Sequence, residues 1–148
     1  MTRNDFSFFH PFRVRYSEID GQGVVFNAHY LTYYDTGTTE YFRWIGWDQL
    51  ADARASGIDF HVAKSVVEYK VPIRLDQEIE VGARVGRFGN SSMTIDLAIF
   101  PKGSTTLLAT GELVWVYVDQ TTHKSVRIPD RIRQMFAKRE KHLASVDA

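Results

Sequence analysis

A change of period partway along the chain restricts its fold more than any other feature. From Asn27 to about Ile45 the apolar and small residues Ala28, Leu31, Tyr34, Thr38, Phe42 and Ile45 recur every three or four positions, the spacing of a helix with one buried stripe. Beyond residue 78 the period becomes two. Ile79, Val81, Ala83 and Val85 alternate with Glu78, Glu80, Gly82 and Arg84, and Met93, Ile95, Leu97 and Ile99 alternate with Thr94, Asp96 and Ala98. Such alternation marks strands with one covered face, and Gly89-Asn90 between them reads as a hairpin turn. Further strands are predicted over Phe12 to Tyr16, Val62 to Val71 and Leu107 to Val118; the last is apolar on both faces at Leu113, Val114, Trp115, Val116 and Val118, which predicts burial on both sides. A single long helix among consecutive strands specifies an α+β architecture: an antiparallel sheet with the helix across its concave face. Gly37, inside the helix, costs about 1 kcal/mol relative to Ala, so it predicts close approach of a neighbour. A short helix over Trp47 to Ala55, ended by Gly57, and a C-terminal helix beginning near Pro129 complete the elements.

The chain has 148 residues, 44% of them hydrophobic, enough for one domain over 1–148 with a real core. Eighteen basic residues balance eighteen acidic ones, which removes any broad electrostatic drive toward nucleic acid or an anionic membrane surface. With no cysteine there is no disulfide framework, thiolate metal site or cysteine nucleophile. Met1 to His10 lacks the apolar core of a secretory signal, and no apolar run approaches the roughly 20 residues of a membrane span. The cytoplasm is the expected compartment.

The stretch from Tyr16 to Tyr30, YSEIDGQGVVFNAHY, carries the chemistry. It places Asp20 in a glycine-containing loop ahead of a helix that begins near Asn27. A helix start has unpaired N–H donors and a partial positive charge, so it can polarise a carbonyl while a nearby carboxylate acts as base or nucleophile. Taken alone, Asp20 reads more readily as a turn residue or helix-entry cap, and Asn27 is a credible N-cap.

The whole motif resembles that of the hot-dog-fold acyl-CoA thioesterases of the 4-hydroxybenzoyl-CoA thioesterase-like group, whose pattern runs roughly Asp-x-x-Gly-(Val/Ile)-Val-(aromatic)-x-x-x-Tyr. Here it reads Asp20-Gly21-Gln22-Gly23-Val24-Val25-Phe26-Asn27-Ala28-His29-Tyr30. The resemblance implies a hot-dog fold and hydrolysis of a thioester to a free acid and coenzyme A, which enters as part of the substrate, with no separate cofactor. It also implies that Asp20 occupies the place of the catalytic carboxylate, as nucleophile or general base. The N–H of Asn27 takes that of the donor to the thioester oxygen, and Gly23 matches a loop glycine. Val25, Phe26, His29 and Tyr30 are expected along the substrate path. Family members pair their sheets into homodimers and often homotetramers, with sites between subunits. The chain departs from the pattern at Asn27, where many relatives carry His or Tyr, and at His29, where Asn is common. A backbone donor survives a change of side chain.

Other residues compete for roles. Glu18 is read as a solvated or ion-paired carboxylate, and Asp35, on the helix, is the reserve acid. The tyrosines and Phe42 of the helix read as core. Arg87 and Ser91, flanking the Gly89-Asn90 turn, are candidates for the CoA phosphates, with Lys64 and Lys102 behind them. His10, His29, His61, His123 and His142 lack metal-ligand spacing, and no serine sits in a Gly-x-Ser-x-Gly elbow. Two other readings use the same pocket: an acyl-carrier-protein thioesterase and a non-catalytic acyl-CoA-binding module.

Overall fold

The alternating segments build one antiparallel sheet in a computed structural model that describes residues 1–144. Its strands are β1 (Phe9–Arg13), β2 (Ile58–Tyr69), β3 (Glu78–Phe88), β4 (Ser92–Pro101) and β5 (Ala109–Asp119), in the order β1-β3-β4-β5-β2. The helices are α1 (His29–Ile45), α2 (Gln49–Ser56), α3 (Asp130–Arg139) and α4 (Lys141–Ala144).

One face of the sheet wraps α1. Ile79, Val81, Ala83 and Val85 of β3 pair with Pro101, Ile99, Leu97 and Ile95 of β4, and the four β3 residues are fully buried. Burying such side chains contributes about 1.5–3 kcal/mol each. Gly37 explains how α1 seats so closely: a Cβ there would lie 2.7 Å from Val81 Cγ1. Farther along the sheet the Tyr34 ring occupies the space above Gly111, and its hydroxyl donates to Thr110 O at 2.8 Å. The opposite face of β3 and β4 carries a second cluster of Phe6, Ala98 and Phe100, with the Phe6 ring over Gly82. The α+β architecture expected from the change of period is therefore present. Gly57 closes α2 in the left-handed region, φ 72°.

Several boundaries differ from expectation. The first strand lies earlier, ending at Arg13, because Tyr16 to Glu18 turns as a 3-10 helix closed by Glu18 on Arg15. Helix α1 starts at His29, with Ala28 rather than Asn27 in the capping position. The cause is a tight turn: His29 N–H donates to Phe26 O (2.9 Å) and Tyr30 N–H to Asn27 O (3.3 Å). Leu31 is exposed, since Tyr30, Tyr33 and Tyr34 take the inward side of that turn. On β5 Ala109, Gly111, Leu113 and Tyr117 are buried on the side facing α1, with Trp115 partly buried, while Val114, Val116 and Val118 remain partly exposed on the other.

Candidate active site

Asp20 sits in a closed backbone hairpin. Its N–H donates to Val24 O at 2.8 Å, Gly23 N–H donates back to Asp20 O at 3.0 Å, and Ile19 bridges Val25. Gly23 turns the chain with φ 77°, a conformation that a side chain would strain. Asp20 Oδ1 accepts the Gln22 N–H at 2.8 Å, an Asx turn that orients the carboxylate. Its other oxygen has no partner among the described residues, and the residue is half-buried. The hairpin is tied down outside the turn as well: Val25 N–H donates to Ile73 O at 2.7 Å, and Val24 bridges Arg74 ahead of β3.

The base of the hairpin is the hydrogen bond from Phe26 N–H to Glu18 O, 2.9 Å. Asp20 and Asn27 thus emerge from the two arms of one loop. The tight turn consumes the N–H groups of His29 and Tyr30, while those of Asn27 and Ala28, just ahead of α1, find no acceptor among the described residues. Free donors there, with the helix dipole behind them, suit a developing oxyanion. Asn27 O also accepts the hydroxyl of Tyr69, at the end of β2, at 3.3 Å. The Tyr69 ring packs edge-on against Tyr30, centroids 4.8 Å apart.

Glu18 is ion-paired, within one reading the sequence allowed, but it is also buried. One carboxylate oxygen accepts Arg15 N–H (2.8 Å) and Tyr33 OH (3.0 Å), and the other accepts the Arg15 guanidinium (3.1 Å). Burial pushes its carboxyl upward, but these donors outweigh burial and hold it below the ordinary carboxylate range. Burial, and then the Glu18 carboxylate, push the Tyr33 phenol well above its ordinary value, so it stays a donor.

The other predicted residues divide into two groups. Val25 and Tyr30 are buried beside the hairpin, Phe26 is 44% exposed, and His29 is half-buried with its ring 5.8 Å from that of Phe26. Arg87 and Ser91 lie at the far end of β3 and the β3–β4 turn. The Asp20 hairpin is anchored at Ile73 and Arg74, ahead of the other end of β3. Asp35 is exposed and lines a separate cavity of about 670 Å³ with Phe42, Arg43, Trp47 and Trp115. Among the described residues no three His, Asp or Glu side chains gather as a metal site would. Sequence reasoning missed Tyr69 and the tie from Glu18 to Tyr33; only their aromatic and acidic character was visible, since their partners lie elsewhere in the chain.

Known proteins are similar to this chain in sequence and in fold. The acyl-CoA thioester hydrolase YbgC of Escherichia coli is 33% identical over 122 residues, covering 82% of this chain and 90% of that protein. The crystal structure of the PA5185 protein from Pseudomonas aeruginosa is 31% identical, with a TM-score of 0.78 over 93% of this chain and 94% of that one. Slr0204, a 1,4-dihydroxy-2-naphthoyl-CoA thioesterase from Synechocystis, is 15% identical and has the same fold, with a TM-score of 0.80 over 88% of this chain and 95% of its own. Residues 14–136, from the end of β1 through most of α3, match the thioesterase-like superfamily. On this match the chain belongs to the thioesterase-like superfamily, as a thioester hydrolase of hot-dog fold.

Proposed function

We propose that the protein is a cytoplasmic acyl-CoA thioesterase in which Asp20 acts at the thioester carbon while the N–H groups at the start of α1 hold the oxygen. One observation carries the reading: the hairpin closed by Ile19 and Val25 holds the Asp20 carboxylate, and the turn that directly follows it leaves the N–H groups of Asn27 and Ala28 without an acceptor among the described residues. As a C–O bond forms, the carbonyl oxygen gains charge, and the donors at Asn27 and Ala28 meet it; one well-aimed donor lowers such a barrier by about 3 kcal/mol. Asp20 either attacks the carbon, expelling CoA thiolate and leaving a mixed anhydride for water to open, or takes a proton from water that attacks directly. Coenzyme A arrives with the substrate, and no separate cofactor takes part.

The functional unit in this reading is at least a homodimer. Strand β2 is a sheet edge of 12 residues with no strand on its outer side among the described residues, and an unpaired edge of this length is a ready pairing surface. Arg87 and Ser91, remote from Asp20 in their own subunit, would serve the CoA phosphates from a neighbouring copy.

Release of free CoA from a panel of aliphatic and aromatic acyl-CoAs, followed for wild type and Asp20→Asn, tests the proposal. Turnover by the wild type and a loss of about 100-fold or more in a folded variant are expected. Equal rates would remove Asp20 from the chemistry, and no turnover by the wild type on any acyl-CoA would defeat the reading.

A further inference from the structure

We infer that Glu18 is a positioning residue for this site: with Tyr33 and Arg15 it locks the hairpin bearing Asp20 against the start of α1. The inference rests on the proposed role of Asp20. Glu18 touches three separate pieces of the fold. Its carboxylate receives the main-chain N–H and the guanidinium of Arg15, at the exit from β1. The same carboxylate receives the hydroxyl of Tyr33 from α1. Its carbonyl receives the N–H of Phe26, the residue before the free donor at Asn27. Glu18 therefore fixes the near arm of the hairpin to the helix by its side chain and to the far arm by its main chain.

Solubility does not explain such an arrangement. Glu18 is only 8% exposed, and a buried carboxylate is retained only where its donors compensate its lost hydration. Nor is Glu18 a second base, because both of its oxygens are occupied by donors and the residue is buried. What the contacts fix is the placement of Asp20, two positions on, relative to the unpaired N–H groups of Asn27 and Ala28. Reacting groups lose rate steeply with misplacement, about 100-fold for a shift near 1 Å. A Gln at position 18 keeps the volume but removes the charge and turns an NH₂ group toward donors.

Two measurements on Glu18→Gln and Tyr33→Phe test the assignment, with Tyr33→Phe carrying it should the first variant fail to fold. Amide hydrogen exchange in the absence of substrate is expected to accelerate about tenfold at Phe26 and Gly23 in Glu18→Gln, reporting a hairpin that opens locally, with a smaller effect in Tyr33→Phe. In steady-state CoA release, Glu18→Gln is expected to lose up to about 100-fold in kcat with KM changed less than about threefold, the signature of a lost alignment rather than lost binding. Unchanged exchange at Phe26 and Gly23 would overturn the inference whatever the activity, and so would an unchanged kcat in an active enzyme. If the wild type turns over no acyl-CoA, it is the thioesterase reading that falls, and the exchange data alone decide whether Glu18 holds the hairpin.

Discussion

Tyr69 shows how a side chain distant in sequence can tune a main-chain donor. Its hydroxyl donates to Asn27 O, the carbonyl of the peptide unit whose other end is the free Ala28 N–H. A hydrogen bond to the carbonyl polarises the whole peptide and strengthens its donor. Tyr69→Phe should therefore lower kcat about three- to tenfold, the worth of one hydrogen bond of 0.5–1.5 kcal/mol. Steady-state CoA release with a thermal melt alongside checks this; a kcat equal to wild type would show that the hydroxyl only decorates the edge of β2. At this scale the candidate site was legible where its residues are contiguous. Asp20, Gly23, Asn27 and Tyr30 fall in one 11-residue motif, and the structure gathers them in one hairpin and turn. Tyr69 and the pair of Glu18 with Tyr33 were not legible, because a hydrogen bond between residues 15 or 42 positions apart leaves no local pattern.

Between elements, the junction of α3 and α4 ties these two helices to the core. Glu140, nearly fully buried after α3, accepts the hydroxyl of Tyr41 from α1 at 2.6 Å, and that oxygen accepts the N–H of Val85 from β3 at 3.0 Å. The His142 ring reaches Val85 O at 2.8 Å, where the register of β3 shifts. Burial raises the Glu140 carboxyl above its ordinary value, and the Tyr41 hydroxyl and the charges of His142 and Arg84 offset this only in part. The sign follows: with a raised value in the folded state, the folded protein holds the proton better than the unfolded chain. Its contribution is then fully present below the ordinary value of 4.5 and is lost as pH rises through the folded one. Glu140→Gln removes that dependence. Its Tm relative to wild type should increase between about pH 4 and about pH 7; a constant difference across that range would refute the protonation argument. Periodicity captured these elements but not their ends. Gly37 against Val81 and Gly57 at the end of α2 were readable because each glycine answers a local demand. The start of α1 was not, since the bonds of the Phe26 to Tyr30 turn decide it.

At the scale of the whole molecule, β2 is one of the two edges of the sheet, β1 being the other. Along and around β2, Val62 is 53% and Tyr69 54% exposed, with Phe26 and Leu31 also exposed, and the proposed homodimer would pair through this edge. Light scattering on a size-exclusion column should find wild type at twice or more the 17.0 kDa chain mass. Val62→Asp should shift it to monomer and lower kcat/KM by about tenfold or more, as expected when a charge is placed in a desolvated contact. A variant that stays dimeric would place the contact elsewhere. The strand order carries a different consequence, for how the chain reaches this shape. Only β3, β4 and β5 are neighbours both in sequence and in the sheet; β1 must find β3, and β2 must find β5, across the intervening chain. On a ribosome, the first 70 residues therefore emerge without the strands they pair with, and α1 has no sheet to bury its tyrosines until the meander is complete. Such late, long-range closure is slow, on the order of milliseconds to seconds, and it leaves an aromatic helix exposed to chaperones for much of synthesis.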